Sequence, residues 1–357
     1  MLHGHHMKKR LFKNKSDIYF VYPGDINAKT GGYIYEKNIL NYAKLNNINI
    51  RKIALSQNYP FPTNRDIKYF LKILDKIHPN SKIIIDGLAL EGMYSIFKKI
   101  ITYNVIALIH HPLYLEFKGQ RSKKFLRLEK ENFKKINKFI VTSKNTKNLL
   151  INEFEIKNNK ISVVEPGIVR LKKYNNKNNN NNNKIHFLTC GSIINRKNYL
   201  FLLKVLKPLD NYILNIVGDT TRDIVYYKNL KKFVNKNSMS RKIIFHGTIS
   251  DSKLSKLYSN ADCYISVSKY EGFGMSLANA LIIKKPIITF FTNTILNTLG
   301  KDGVIYYKKF IVNDLRSIIT NNILNTNNLK KLNNKINKNK RYFFTPSESA
   351  KKFLKLI

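Results

Sequence analysis

Short apolar runs of strand length alternate with longer amphipathic segments along almost the whole chain. Near-continuous apolar runs rich in β-branched side chains are typical of strands that are covered on both faces, as in parallel sheets. The longer segments have the apolar spacing of helices, as at 33–45 and 123–137. The runs predict strands at 18–24, 47–55, 82–87, 104–111, 138–143, 161–167, 184–192, 212–219, 242–247, 262–268, 286–290 and 303–307.

A polar tract interrupts this alternation near the middle of the chain. Residues 174–184, YNNKNNNNNNK, have no apolar side chain after Tyr174, so they cannot contribute to a core and predict a linker. The elements on either side predict two Rossmann-like, doubly wound α/β domains, over residues 17–173 and 185–340. Two such domains create a cleft at the carboxyl ends of their strands, where ligands bind in open α/β sheets.

The two ends of the chain stand apart from these domains. Residues 1–16 lack the long apolar centre of a signal peptide and predict a disordered or tag-like terminus. Residues 341–357 end in the amphipathic segment SAKKFLKLI and predict a helix that could pack back on the first domain. No apolar run approaches the ~20 residues that are needed to span a bilayer.

Composition adds two constraints. With 357 residues, 43% of them hydrophobic, the chain is long enough for two separate cores. Its two cysteines, Cys190 and Cys263, both lie in apolar runs. They indicate buried, reduced thiols of a cytoplasmic protein rather than a disulfide framework, and they lack the spacing of a zinc site.

The formal net charge of +42 has three explanations. A biased base composition would produce it, since Lys, Asn and Ile are all frequent and the lysines are scattered. An anionic membrane surface would attract the basic segment 121–138, although a solvated basic helix explains that segment equally well. Nucleic acid is the least favoured partner, because no zinc-finger or aromatic RNA-binding motif accompanies the charge.

Two motifs of the first domain follow predicted strands. Gly31 and Gly32 lie at a loop-to-helix junction, where the free N–H groups can bind an anion or a hydroxyl-rich ligand; a plain tight turn is the alternative. His110 and His111 directly follow a buried strand and precede a proline, which indicates a cleft wall that hydrogen-bonds a sugar hydroxyl or a phosphate. Together with Glu116 they could form a metal site, but the spacing is not diagnostic and no metal is predicted.

The second domain carries a cationic motif after its first strand. In CGSIINRKN, Gly191 lets the chain turn, and Arg196 and Lys197 are predicted at the start of the next helix. Two adjacent cations are unfavourable at a helix N-terminus. A phosphate or diphosphate bound there would compensate them, whereas a solvated pair is the alternative in a lysine-rich chain.

The stretch 270–288, YEGFGMSLANALIIKKPII, follows another predicted strand. Gly272 and Gly274, on either side of Phe273, predict a tight turn that leads into a helix. Free N–H groups at that helix start form an anion site. They belong to Gly274, Met275 and Ser276.

Two polar side chains accompany this turn. Phosphate would repel the carboxylate of Glu271, so Glu271 is better placed to bind sugar hydroxyls. Asn279, two helical turns further on, is either a satisfied buried amide or a ligand contact. One domain therefore presents a wall that binds diphosphate and hydroxyls and the other presents a histidine wall, which indicates an enzyme that moves a sugar from a nucleotide diphosphate.

With these motifs the sequence resembles the family-4 retaining glycosyltransferases of the GT-B fold, also called glycosyl transferases group 1. The resemblance covers roughly residues 18–310 and is strongest after the polar tract. As an ordered set the motifs are specific, although one of them alone would not be. They are IHHPLYLE (109–116), VVEPG (163–167), CGSIINRKN (190–198), LNIVGD (214–219) and the segment 243–288.

The resemblance implies a nucleotide-sugar donor held mainly by the second domain and a glycan or lipid-linked acceptor held mainly by the first. It implies retention of the anomeric configuration, with no cofactor and no obligatory metal. By position, Arg196 and Lys197 hold the diphosphate, Glu271 contacts the donor sugar, and His110 (or, as second choice, His111) contacts the sugar or its phosphate. The loops around Gly31-Gly32, Gly191 and 272–276 are expected to face the donor.

The sequence departs from the family at three positions. Asn279 stands where a glutamate usually binds the nucleotide ribose, Ser276 replaces Pro or Ala, and Ser192 replaces a frequent Arg, so Arg196 could carry that phosphate contact. Donor binding could therefore be weakened or altered. The leading expectation is a cytoplasmic enzyme of surface polysaccharide or lipopolysaccharide synthesis. A GT-B sugar epimerase and a non-catalytic basic binding protein are the alternatives.

Overall fold

The structure, a computed structural model, describes residues 17–174 and 184–357. The predicted N-terminal segment 1–16 and most of the predicted linker lie outside these residues. The described chain forms two six-stranded sheets, and every pair of neighbouring strands is parallel. The strands are β1 Ile18–Pro23, β2 Ile50–Leu55, β3 Lys82–Asp86, β4 Asn104–Ile109, β5 Lys138–Val141, β6 Ile161–Val163, β7 Ile185–Cys190, β8 Tyr212–Val217, β9 Ile243–Gly247, β10 Cys263–Ser266, β11 Ile287–Phe290 and β12 Val304–Tyr307.

Each sheet is doubly wound, as the strand pattern predicts. The order is β2-β1-β3-β4-β5-β6 in the first sheet and β12-β11-β10-β7-β8-β9 in the second. Both orders reverse beside the first strand of the domain, and the crevice at such a switch point is where open α/β sheets bind ligands. The two Rossmann-like domains of the sequence-based prediction are confirmed.

Helices cover both faces of each sheet, and many begin at a side-chain cap. The hydroxyl oxygens of Thr30, Thr63, Ser143, Ser250 and Thr292 each accept a hydrogen bond from a backbone N–H of the first turn that follows. The helices are α1 Gly31–Leu45, α2 Asn64–Leu74, α3 Gly87–Glu91, α4 Phe97–Ile100, α5 Gly119–Phe133, α6 Lys144–Asn152, α7 Tyr199–Leu206, α8 Ile224–Lys236, α9 Asp251–Asn260, α10 Met275–Ile282, α11 Asn293–Leu299, α12 Val312–Ile319, α13 Thr326–Lys338 and α14 Pro346–Leu354.

Two helix positions differ from the expectation. The helix expected at 123–137 occupies Gly119–Phe133, because tight turns bond Lys135 N–H to Asn132 and Ile136 N–H to Phe133 before β5 begins. The cationic pair Arg196 and Lys197 belongs to a short 3-10 turn rather than to the first turn of α7. Asn198 follows it in the left-handed region, with φ of 57°, and this change of direction separates the turn from the helix.

The last helix, α14, packs against α1 of the first domain. Phe353 is fully buried there and meets the ring of Tyr35 edge-on, with 6.3 Å between the ring centroids. The Ser349 hydroxyl donates to the carbonyl of Glu165 over 2.6 Å. The chain therefore returns across the domain boundary after α13. Within the described residues, no helix combines the length and apolar character that crossing a bilayer requires.

Candidate active site

The predicted site residues lie in loops that leave the carboxyl ends of the strands, or in the first two turns of the helices that follow, on the two sides of the interdomain cleft. His110 and His111 follow β4, Gly191 follows β7, and the stretch from Glu271 follows β10. Gly31 opens α1 on the first domain. The fold thus brings residues from distant parts of the sequence to one region.

The two walls of the cleft touch at Gly272. A Cβ placed there would lie 2.5 Å from the carbonyl oxygen of His110, closer than any side chain could approach. The same carbonyl accepts a hydrogen bond from the Thr142 hydroxyl over 3.1 Å, which fixes its position. Nearby, a Cβ at Gly31 would meet the Met275 sulfur at 3.4 Å and one at Gly32 would meet His110 Nε2 at 3.3 Å. Gly272 therefore permits the close approach of the domains.

Lys197 and Glu271 form an ion pair on the second wall. Lys197 Nζ donates to Glu271 Oε1 over 2.5 Å, and their side chains are only 12% and 14% exposed. The lysine stem passes Gly191 so closely that a Cβ at Gly191 would lie 2.7 Å from Lys197 Cε. Glycine at 191 thus leaves the space in which the lysine reaches the carboxylate.

Arg196 connects the two walls. Its Nη1 donates to the carbonyl of Tyr270 over 2.6 Å and lies 3.8 Å from Glu271 Oε2. Its Nε lies 3.6 Å from Oε1 of Glu116, a residue of the first domain, and finds no hydrogen-bond partner within residues 17–174 and 184–357. Glu116 Oε1 is held by His111 Nε2 at 2.9 Å. Arg196 consequently keeps a buried N–H that could donate a hydrogen bond to a bound anion.

Burial and charge together set the protonation of this cluster. Burial alone would raise the pKa of the Glu271 carboxyl, but Lys197 and Arg196 lower it to about 2. Burial and the neighbouring Arg196 lower the pKa of Lys197, and Glu271 opposes that change. The pKa of Glu116, raised by burial, is brought down to about 2 by His111 and Arg196. The two carboxylates are therefore ionised at neutral pH beside two cations.

His110 turns away from His111 and into the first domain. Its Nε2 lies 3.1 Å from Glu36 Oε1 of α1 and 3.4 Å from Asp86 Oδ2 at the end of β3. Both carboxyl groups are buried, and the histidine side chain is 20% exposed. Of the two histidines, His111 contacts Glu116, whereas His110 contacts Glu36.

Metal-binding capacity follows from the same arrangement. Among the described residues, Glu36, Asp86 and His110 form a group whose polar atoms lie close enough to surround a metal ion. Their mutual distances are also those of ordinary hydrogen bonds, and Nε2 is directed at both carboxyl groups. Hydrogen bonding accounts for the cluster, so we assign none of the three as a metal ligand.

Helix α10 begins at the turn that the glycine pattern predicts. Gly274 precedes it with φ of 91°, a conformation that favours glycine. Phe273 is buried and its carbonyl accepts from the Thr298 hydroxyl over 2.9 Å, which anchors the turn. Met275 and Ser276 form the first turn of the helix as expected. Asn279 lies in the same helix, and its buried amide oxygen lacks a hydrogen-bond partner among the described residues.

Sequence reasoning missed Glu36 and Asp86. Asp86 had a local signal, since it ends an apolar strand and directly precedes Gly87. Glu36 had a weaker one, since it shares the buried face of α1 with Ile39 and Ala43. An acid on an apolar helix face needs a buried partner, and its partner at position 110 is far away in sequence.

Comparison with known proteins gives a match for the second domain. Residues 172–343 match the family described as glycosyl transferases group 1. Over the described residues the fold is GT-B. The suspected resemblance is thereby confirmed at the level of the group and the fold, while assignment to family 4 stays a prediction.

Individual relatives are distant. Sucrose-phosphate synthase from Thermosynechococcus elongatus superposes with a TM-score of 0.75 at 15% identity, over 96% of this chain and 98% of that one. HepE from Anabaena, in complex with UDP and glucose, gives 0.71 at 14% identity, over 96% and 99%. An uncharacterized 41.2 kDa protein in the cps region of Klebsiella pneumoniae is 27% identical over 143 residues. That last match spans 37% of the length of each protein.

Proposed function

We propose that the protein is a retaining glycosyltransferase that moves a sugar from a nucleotide-diphosphate donor to a glycan or lipid-linked acceptor. The observation that carries the proposal is the arrangement of Arg196, Lys197 and Glu271 on one wall, in contact through Gly272 with His110 on the other. The group 1 family match of the second domain supports the same reading.

The cation pair supplies the binding chemistry for a diphosphate. Lys197 is a point charge, and Arg196 has a buried Nε–H that lacks a hydrogen-bond acceptor in the described chain. A diphosphate would accept from both and would carry more negative charge as it leaves. Stabilisation of a leaving group by preorganised cations in a partly dry site is typically the largest catalytic contribution. Glu271, beside them, can accept hydrogen bonds from sugar hydroxyls.

The proposed reaction needs no protein nucleophile. The bond between the anomeric carbon and the diphosphate oxygen breaks, and the acceptor oxygen forms its bond to the same face of that carbon. The acceptor proton passes to the departing diphosphate, so atoms and charge balance. The protein contributes by holding donor and acceptor in reacting geometry and by stabilising the leaving group.

The relatives support the substrate class. HepE was solved with UDP and glucose, which makes a nucleotide sugar a reasonable donor here. The Klebsiella relative lies in a cps region, which supports a role in surface polysaccharide synthesis. We extend the proposal to a cytoplasmic enzyme at the inner face of the membrane, where exposed cations of α5, namely Lys123, Lys124 and Arg127, could meet anionic lipid.

Nucleotide release tests the proposal. Purified protein is incubated with a panel of nucleotide sugars and with lipid-linked or glycan acceptors, and the released nucleotide and the linkage of the product are measured. Glu271→Ala and Lys197→Ala should each lower release about tenfold or more. Lys236→Ala is the control, because this exposed lysine ends α8 at the opposite edge of the sheet. Unchanged release in both site variants would refute the site assignment, and an inverted product would refute retention.

A further inference from the structure

The proposed glycosyl transfer leaves the cluster of Glu36, Asp86 and His110 without a stated role. We propose that Asp86 is a positioning residue that keeps His110 positively charged at the cleft, with Glu36 beside them as a neutral acid. This inference rests on the proposed function for the use of the charge, but its structural claim stands on the cluster alone.

Asp86 is held as an anion by the start of α3. Its Oδ1 accepts the backbone N–H groups of Leu88 at 2.9 Å and Ala89 at 3.3 Å, and its Oδ2 faces His110 Nε2 at 3.4 Å. Both oxygens therefore meet donors. N–H donors and the positive end of a helix favour the ionised form of a carboxyl group. The pKa of Asp86 is lowered accordingly: burial would raise it, but the bonds from His110 and Glu36 outweigh burial.

Glu36 has the opposite surroundings. Its side chain is completely buried, Oε1 faces His110 Nε2 at 3.1 Å, and Oε2 lacks a hydrogen-bond partner among the described residues. Two neighbouring carboxyl groups in a buried site do not both ionise readily. Burial and the charge of Asp86 raise the pKa of Glu36 well above its usual range. Glu36 is thus the acid that keeps its proton.

His110 completes a neutral cluster of one cation, one anion and one neutral acid. Burial alone would lower its pKa, but Asp86 and Glu36 raise it to about 10. Within residues 17–174 and 184–357, three uncharged groups also pack against it: the ring of Tyr35 meets it edge-on, and Gly32 and the backbone of Gly272 approach from α1 and from the second domain. The carboxyl groups of Glu36 and Asp86 are therefore the charges that decide its state.

The consequence is a fixed hydrogen-bond donor at the cleft. Because Nε2 faces the two carboxyl groups, Nδ1 is the ring nitrogen left for a ligand, and in the charged ring it carries a proton. An unassisted histidine of pKa near 6.5 would be about 10% charged at pH 7.5. The buried acids would make His110 a permanent cation facing a donor hydroxyl or phosphate oxygen, opposite Arg196 and Lys197.

Histidine-labelled protein allows a direct test by NMR, which needs no substrate. The ring signal of His110 is assigned by its loss in His110→Gln. In the wild type the ring should stay protonated from pH 6 to 8.5. In Asp86→Asn, which retains Oδ1 to cap α3, it should titrate near pH 6.5. In Glu36→Gln, which replaces a neutral acid with a neutral amide, it should stay protonated above pH 7.5. Thermal melts verify that each variant is folded.

Nucleotide release gives the second readout. At pH 8 the rate of nucleotide release by Asp86→Asn should be about tenfold or more below that of the wild type. Most of this rate should return at pH 6, where the ring is protonated without help from Asp86. Glu36→Gln should lose less than Asp86→Asn at pH 8. A wild-type ring that titrates near 6.5, an Asp86→Asn ring that stays charged, or a stoichiometric metal ion that Glu36→Gln removes would each overturn the proposal. Correct NMR behaviour without any sugar transfer would instead refute the proposed function and leave the cluster assignment intact.

Discussion

The two walls of the cleft use acid–base pairs in opposite ways. On the second domain, Glu271 and Lys197 are partly exposed, at 14% and 12%, so a ligand can reach both partners. On the first domain, Glu36 and Asp86 are buried behind His110, and a ligand can reach only the histidine. Glu271 and Lys197 can therefore exchange their contact with each other for contacts with a substrate. Glu36 and Asp86 keep their contacts and set the charge of His110.

The two walls also differ in the groups that a bound substrate has to displace. A diphosphate that binds Lys197 and Arg196 competes with Glu271 and Glu116, whose carboxylates already lie beside those cations. A donor group that meets His110 displaces no acid. The second wall should therefore determine affinity for the nucleotide, and the first wall should respond mainly to the protonation of one ring.

The largest loss of glycosyl transfer should come from a substitution that pushes the two walls apart. Gly272→Ala places a Cβ 2.5 Å from the His110 carbonyl oxygen, and the backbone of one domain has to move. We expect transfer to fall about hundredfold, because misplacement by about 1 Å is that costly to reacting geometry. Lys236→Ala is the control, since this exposed lysine at the end of α8 touches neither wall. Equal activities in steady-state assays of the two variants would contradict contact between the walls.

A smaller gain, in affinity for the donor, is expected at Asn279, where the sequence departs from the glycosyltransferases that it resembles. Asn279→Glu should tighten binding of a nucleotide sugar about fivefold, because a carboxylate accepts a ribose hydroxyl more strongly than an amide does. Isothermal titration calorimetry with the donor, compared with Asn279→Gln, separates the effect of charge from that of length. Unchanged affinity would remove ribose binding from this position.

Replacing Glu116 should strengthen ligand binding, whereas replacing a residue that contacts the ligand should weaken it. Its carboxylate lies 3.6 Å from Arg196 and competes with any phosphate for that cation. Glu116→Gln should therefore tighten binding of a nucleoside diphosphate about two- to fivefold, the range expected for one partly exposed ion pair. Weaker binding in calorimetry would show that Glu116 holds His111 or the ligand rather than opposing it.

The smallest effect on affinity and rate should come from the ion pair between Lys29 and Asp251 at the exposed rim of the cleft. Lys29 bonds Asp251 across the cleft at 2.8 Å, but the two side chains are 45% and 73% exposed. Water screens such pairs, so Lys29→Ala should change affinity and rate by less than about twofold. A larger loss in the same assays would mean that the walls are held together at the rim as well as at Gly272.

The sequence predicted the sheets and most of the second wall for a local reason. Glycines, charges and strand ends stand close together in CGSIINRKN and YEGFG, so the pattern shows which groups leave a strand together. It could not show that Arg196 reaches Glu116 of the other domain, because that contact depends on how the domains meet. The 3-10 turn at Arg196 and Lys197 was missed because it depends on the left-handed conformation of Asn198.

The first wall was harder to predict for a different reason. His110 was visible after its strand, but the direction of its ring is set by Glu36 and Asp86, which approach it only in the folded sheet. No local sequence pattern marks a buried acid, and its partners come from distant parts of the chain that meet only in the folded protein. The sequence placed His110 and His111 on one wall of the cleft, and the fold gives the two rings different carboxylate partners.

The central claim is that the cleft binds a nucleotide diphosphate through Lys197 and Arg196, and ligand-induced thermal stabilisation tests it most directly. Wild type, Lys197→Ala and the control Lys236→Ala are melted with a panel of nucleoside diphosphates and nucleotide sugars. A ligand at about 100 times its Kd should stabilise the wild type and the control by about 2.7 kcal/mol, a rise in Tm of several degrees. The rise should be nearly absent in Lys197→Ala. An equal rise in all three proteins, or none in the wild type with any nucleotide, would contradict the account.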